Sequence, residues 1–157
     1  MNNIGVLYYK QGNYSKALHH YLRALKIRKQ MEEIAGIAVV SNNIGNLYLK
    51  LDDFDNALIH FEICEKLAKE SGAENLEKSC YLGLSDLYAA TGNFRKSLEY
   101  YKLFAQLKDS IFTKEKSRQI AEMNTKYETE KKEQKNKLLL KEKEVDEQII
   151  LRQQTIG

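Results

Sequence analysis

Apolar positions along the first two thirds of the chain follow a pattern that recurs every forty residues. Asn2–Leu18 reads NNIGVLYYKQGNYSKAL, and Asn42–Leu58 reads NNIGNLYLKLDDFDNAL. A third copy is in phase: Leu7-Tyr8 recurs as Leu47-Tyr48 and Leu87-Tyr88. Ala17, Ala57 and Ser97 share one position, and Tyr21, Phe61 and Tyr101 share another. In the second copy Ile44, Leu47, Tyr48 and Leu51 lie at i, i+3, i+4 and i+7, which is one face of a helix. Leu58, Phe61, Cys64, Leu67 and Ala68 form a second such stripe. The segments Gly12-Asn13-Tyr14, Asp52-Asp53-Phe54 and Gly92-Asn93-Phe94 separate the stripes, and their residue types suit helix caps and tight turns. Each copy therefore predicts two antiparallel helices. Small residues at Gly5, Gly45, Ala17, Ala57 and Ser97 permit close approach, and Tyr8, Tyr48 and Tyr88 complete the predicted packing set with Tyr21, Phe61 and Tyr101.

The arrangement of glycine, tyrosine, small residue and aromatic resembles the tetratricopeptide repeat. The resemblance covers residues 1–108 and implies an all-α fold, a solenoid of three helical hairpins spanning about 1–32, 33–72 and 73–108. The period is longer than the family's usual one, and the usual closing proline is absent because the chain contains no proline. A single hairpin buries too little apolar surface to offset the entropy of ordering it, so such units are stable only when stacked. The first copy begins two turns later in phase than the second, whose first helix is expected to start near Glu33. This predicts that the chain is a fragment of a longer protein.

After Asp109-Ser110 the repeat phase is lost. Ile120, Met123 and Tyr127 form a short stripe, read as a helix capping the last repeat. Residues 128–137 (ETEKKEQKNK) contain no apolar side chain, and Glu128–Lys132 and Glu133–Lys137 are favourable i, i+4 pairs on a solvated helix. Further on, Leu138, Val145 and Arg152 share one heptad position, and Glu142, Ile149 and Ile156 another. This thin seam has two charged defects and permits parallel homodimerisation through the C-terminal helix. Residues 109–157 are thus expected to be a capping helix and a charged helical connector. The sequence of about residues 107–157 is similar to the connector between tetratricopeptide repeats and a membrane helix in sensor histidine kinases of Bacteroidetes-type bacteria. That resemblance implies a membrane span after Gly157, repeats on the periplasmic side of the inner membrane, and an output domain downstream. The alternative is a free cytoplasmic adaptor or regulator.

Charge narrows the partners. The net charge is only +3, and the 11 Lys/Arg of the tail are matched by 10 Asp/Glu, which disfavours a nucleic-acid grip. No stretch of apolar residues within the chain is long enough to cross a membrane, and no signal-peptide pattern opens it. No catalytic constellation and no phosphate-binding loop is present, so the segment is read as non-catalytic, without metal or cofactor. His19, His20 and His60 lie on second helices; His60 and Cys64 are one turn apart, a weak pair for a metal. Asn13-Tyr14-Ser15 matches a glycosylation sequon and is equally an ordinary turn.

Binding of a protein or peptide is the expected activity. First helices line the concave side of stacked hairpins. The residues there that packing does not use are Asn2, Asn3, Lys10, Asn42, Asn43, Asn46, Lys50 and Asp86. An asparagine amide both donates and accepts, so it can bracket a peptide bond and read backbone. Asn3 and Asn43 stand where peptide-binding members of the repeat family carry such an asparagine; the third copy has Gly83 there. Tyr9, Leu49 and Tyr81 can add apolar contacts. Cys64 and Cys80 lie eight residues on either side of Gly72, where the chain turns. That spacing puts them at similar height on antiparallel helices, in contact, and able to bond in an oxidising compartment.

Overall fold

The structure, a computed structural model, describes residues 2–156, with the side chains of Asn2 and Ile156 outside the described set. All six elements are helices: α1 Asn2–Lys10, α2 Tyr14–Gln30, α3 Ile34–Lys50, α4 Phe54–Ser71, α5 Glu74–Ala90 and α6 Phe94–Ile156. The chain divides into two units, residues 1–111 and 112–157.

In the first unit the forty-residue period is visible in the backbone. Residues Gly12, Asp52 and Gly92 all have positive φ, at 75°, 57° and 78°. They close the turn within each hairpin, where a left-handed residue lets the chain reverse after a helix. The next residue is in each case the N-cap of the second helix. Asn13 accepts from the Lys16 backbone N–H at 3.2 Å, Asp53 from Asn56 at 3.3 Å and Asn93 from Lys96 at 3.2 Å. Each cap satisfies one of the donors that a helix start leaves unpaired. Between hairpins the left-handed positions are Glu32 and Gly72. Glu33 adds an ion pair back to Arg28, fastening the end of α2 to the start of α3.

Packing follows the same period. Ala17, Tyr21, Ala24 and Leu25 of α2 form one buried cluster with Val40, Ile44 and Leu47 of α3. Ala57 and Phe61 of α4 form the next with Leu84 and Leu87 of α5. A third, smaller cluster contains Cys64, Ala68 and Cys80. Aromatic rings are admitted because glycines face them. A Cβ on Gly5 would come within 2.5 Å of the Tyr21 ring, and one on Gly45 within 2.8 Å of the Phe61 ring. In the third hairpin Ser85 replaces the glycine and its hydroxyl donates to the Ser97 carbonyl at 2.9 Å, joining α5 to α6.

The second unit is helical throughout its described length. Residues from Phe94 to Ile156 form the one helix α6. Ile120, Met123 and Tyr127 belong to α6 itself and are exposed. No glycine or proline stands between Phe94 and Ile156, so no strong helix breaker interrupts it. Exposed ion pairs support it locally, as between Arg118 and Glu115 at 2.7 Å. No helix among the described residues is long and apolar enough to cross a membrane.

Candidate functional site: a groove on the first helices

The first helices α1, α3 and α5 carry the residues singled out for binding. A concavity of about 220 Å³ is lined by Val6, Tyr9 and Lys10 of α1, Tyr21 of α2, and Asn43 and Asn46 of α3. Aromatic and polar side chains line it together, so it can combine apolar contact with directed hydrogen bonds. Burial raises the Tyr9 hydroxyl above its ordinary value, with Tyr14 adding to the effect. Burial, with Tyr9 beside it, pushes Tyr21 up to about 12. Both phenols therefore stay neutral and can donate at any ordinary pH.

Of the candidate asparagines, two line this concavity. Asn43 borders it together with Tyr21. Asn46 donates from Nδ2 to the Asn42 carbonyl at 3.0 Å, which fixes its amide with the oxygen end available. Asn42 Oδ1 is buried and has no donor among the described residues. Asn3 is exposed on α1 and does not line the concavity, and the side chain of Asn2 lies outside the described residues. At the third copy the asparagine phase ends for a packing reason. A Cβ on Gly83 would meet the Phe61 ring at 2.4 Å, so α5 lies too close to α4 for any side chain there.

The lysines recur at one phase with different neighbours. Lys10 shares the concavity with Asn46. One repeat later, Lys50 acts on Asp86, which stands at the phase of Asn46. Burial raises the Asp86 carboxyl above its ordinary value, and Lys50 opposes that rise. The groove wall is thus a row of amide, lysine and carboxylate groups rather than a uniform ladder. Val6, which completes the wall, was not among the residues its apolar character marked for binding; its phase is that of Asn46 and Asp86, and this relation could have singled it out.

Residues 36–103 match a family model described as tetratricopeptide repeat, and residues 1–31 match a second model of the same description. The chain belongs to the tetratricopeptide repeat family. Its domain of this kind is a protein-interaction module, and such repeat domains are generally non-catalytic. Among solved structures, the repeats are similar to BtubC (BKLC) from P. vanneervenii, with a TM-score of 0.64 and 21% identity. The match covers 70% of this chain and 46% of that one, so this chain spans less than half the length of that structure. At that identity the likeness is one of fold. No curated protein matches the chain.

On the second helices of these tetratricopeptide repeats, a ring stack recurs. His20 lies on Tyr8 with centroids 5.4 Å apart, His60 on Tyr48 at 5.8 Å, and Tyr100 on Tyr88 at 5.7 Å. The Nδ1 atoms of His20 and His60 are buried without a hydrogen-bond partner among the described residues. No group of three or more His, Cys, Asp or Glu gathers as a metal site among them. Burial first, and Lys29 second, hold His60 below its ordinary value. The folded chain thus binds the His60 proton less well than the unfolded chain. Stability contributed by neutral His60 is present above the unfolded histidine range, near pH 6.5, and is lost as pH falls from there through the folded value. The melting temperature is expected to fall on acidification in that window. His60→Tyr, the residue that repeat three carries at this phase, should flatten the slope; a slope unchanged by this substitution assigns the titration to another group.

Proposed function

We propose that the groove on α1 and α3 captures an extended segment of a protein partner, reading its backbone through Asn43 and Asn46. The observation that carries this reading is the 220 Å³ concavity in which Tyr9, Tyr21, Lys10 and two asparagine amides converge. Extended peptides gain affinity from main-chain hydrogen bonds and specificity from side-chain pockets, and this wall offers both. Selection of displayed peptides on the chain supplies ligands for the test. Asn43→Ala and Asn46→Ala together, with Asn42→Ala beside them, are expected to weaken those peptides about tenfold to a hundredfold, at about 1 kcal/mol for each of the two hydrogen bonds lost. Helicity should be unchanged. Peptides that bind the triple variant as tightly as the parent move the binding surface elsewhere.

In the wider reading, the repeats are the non-catalytic sensory or interaction part of a membrane-anchored bacterial signalling protein of the two-component sensor histidine kinase type. The repeats lie on the periplasmic side, a membrane helix follows Gly157, and the C-terminal helix pairs two chains. The resemblance of residues 107–157 to such connectors supports this, as does the exposed heptad stripe Leu138, Val145 and Ile149. The competing reading is a free cytoplasmic adaptor whose groove or C-terminal helix binds a protein. The full gene separates them: a signal peptide upstream and about 20 apolar residues after Gly157 fit the first. A stop codon after Gly157 fits the second.

A further inference from the structure

The last hairpin carries on α6 a face that the first two hairpins cover. In those hairpins the second helix packs this face on the first helix of the next hairpin. Tyr14, Leu18 and Tyr21 of α2 cluster with Ile44 and Leu47 of α3, and Phe54, Leu58 and Phe61 of α4 cluster with Leu84 and Leu87 of α5. Phe94, Leu98 and Tyr101 stand at the same phase on α6 and are exposed; Tyr101 is 52% exposed, against 2% for Tyr21 and 0% for Phe61. The face lies within the chain rather than at a terminus, since α6 continues from it to Ile156.

A segment that fits such a face is written further along the same helix. The elements that cover it in the first two hairpins read apolar, small, polar, apolar: Ile44-Gly45-Asn46-Leu47 on α3 and Leu84-Ser85-Asp86-Leu87 on α5. Ile120-Ala121-Glu122-Met123 on α6 has the same order. Ile120 and Met123 are exposed, as is Tyr127 one turn further on. Both the face and the segment that matches its usual cover are therefore open to a neighbour.

We propose that two copies pair antiparallel through α6, with residues 120–127 of each lying on Phe94, Leu98 and Tyr101 of the other. The occupant is a second copy because this chain itself carries the covering pattern, on the helix that carries the face. The direction follows from the internal junctions, where helices joined by a tight turn run antiparallel. In the register of those junctions Tyr101 falls opposite Ile120, Leu98 opposite Met123 and Phe94 opposite Tyr127, apolar on apolar at each place. The exchange is mutual, so the contact is isologous and closes at two chains. The parallel seam through Leu138, Val145 and Ile149, by contrast, has Glu142 and Arg152 within it. The tails of an antiparallel pair run in opposite directions, so the two pairings exclude each other in one dimer. Two chains anchored in one membrane need parallel tails; the antiparallel pair therefore rests on the free-adaptor reading, and names a second copy as the partner of the C-terminal helix.

Sedimentation and cysteine cross-linking of the full chain test this. Over about 5–500 µM, a range that brackets weak association, the mass is expected to rise to two 18.2 kDa chains and no further. Met123→Glu, at an exposed position, should hold it at one chain with helicity unchanged by circular dichroism. Cys64 and Cys80 are buried and bonded to each other, so they do not compete for an added thiol. On mild oxidation a mixture of Leu98→Cys and Met123→Cys chains is expected to form a linked pair, and neither variant should link to itself. Leu98→Cys or Leu138→Cys chains that link to themselves mark a parallel pair and overturn the proposal. Growth beyond two chains, or pairing that persists in Met123→Glu, overturns it as well. A parent of constant single-chain mass also overturns it, but leaves the adaptor reading standing, because the full gene decides that separately.

Discussion

Phe61→Ala is expected to destabilise the repeats by about 3–5 kcal/mol, the range for removing a large ring from a closed core. The side chain is fully buried. It is held between two glycines on different helices, with a Cβ on Gly45 reaching it at 2.8 Å and one on Gly83 at 2.4 Å. These backbones cannot follow the ring when it is removed, because α3 is already packed on α2 through Ile44 and Leu47. The site therefore stays open, and the lost contacts are not regained by collapse. At about 2–4 °C per kcal/mol for a chain of this size, the midpoint should fall by roughly 10 °C. Tyr101→Ala is the control. It occupies the same phase but is half exposed, so at a dilution where the chain is monomeric it should cost below about 1 kcal/mol. Equal losses for the two substitutions would mean that repeat phase, not the neighbouring helix, sets the energy.

That contrast marks how far the sequence is legible. Spacing shows which face of a helix is apolar, and on that ground Tyr21, Phe61 and Tyr101 are equivalent. It cannot show whether a further helix stands against the face, which is why Tyr101 differs. The same limit explains Ile120, Met123 and Tyr127. Their stripe is genuine, but the three residues lie within α6 and are exposed. In the groove, composition picks out Asn43 and Asn46 because they are polar residues outside the apolar stripe of their helix. It does not separate them from Asn3, since the Tyr21 that lines the concavity with Asn43 belongs to another helix, a relation fixed only when α2 and α3 pack. Gly83 is the reverse case. As a missing asparagine it reads as a gap in a ladder, whereas the closeness of α5 to Phe61 makes it a requirement of packing.

The second large effect is expected on reducing Cys64 and Cys80. In the structure they are joined as a disulfide between α4 and α5, with Cα atoms 6.2 Å apart, inside the range that a bond spans. Both are fully buried beside Ala68 and Leu76, so solvent reductant reaches them only when this junction opens. The bond closes a loop with a sequence separation of 16, and constraining a loop of that size in the unfolded chain is worth about 3 kcal/mol. Chain purified under oxidising conditions is expected to show no free thiol when denatured without reductant. Its midpoint should drop by roughly 10 °C once reduced, on the same conversion as above. Comparing one chain in two redox states avoids the cavity that a cysteine substitution would leave at a closed junction. Two free thiols after oxidation, or a midpoint indifferent to reductant, rules the bond out. The result also bears on where the repeats work. A bond worth this much persists outside the cytoplasm and is reduced within it. A chain that needs the bond to hold α4 against α5 at growth temperature fits the periplasmic reading, and one equally stable as a dithiol removes that argument for it.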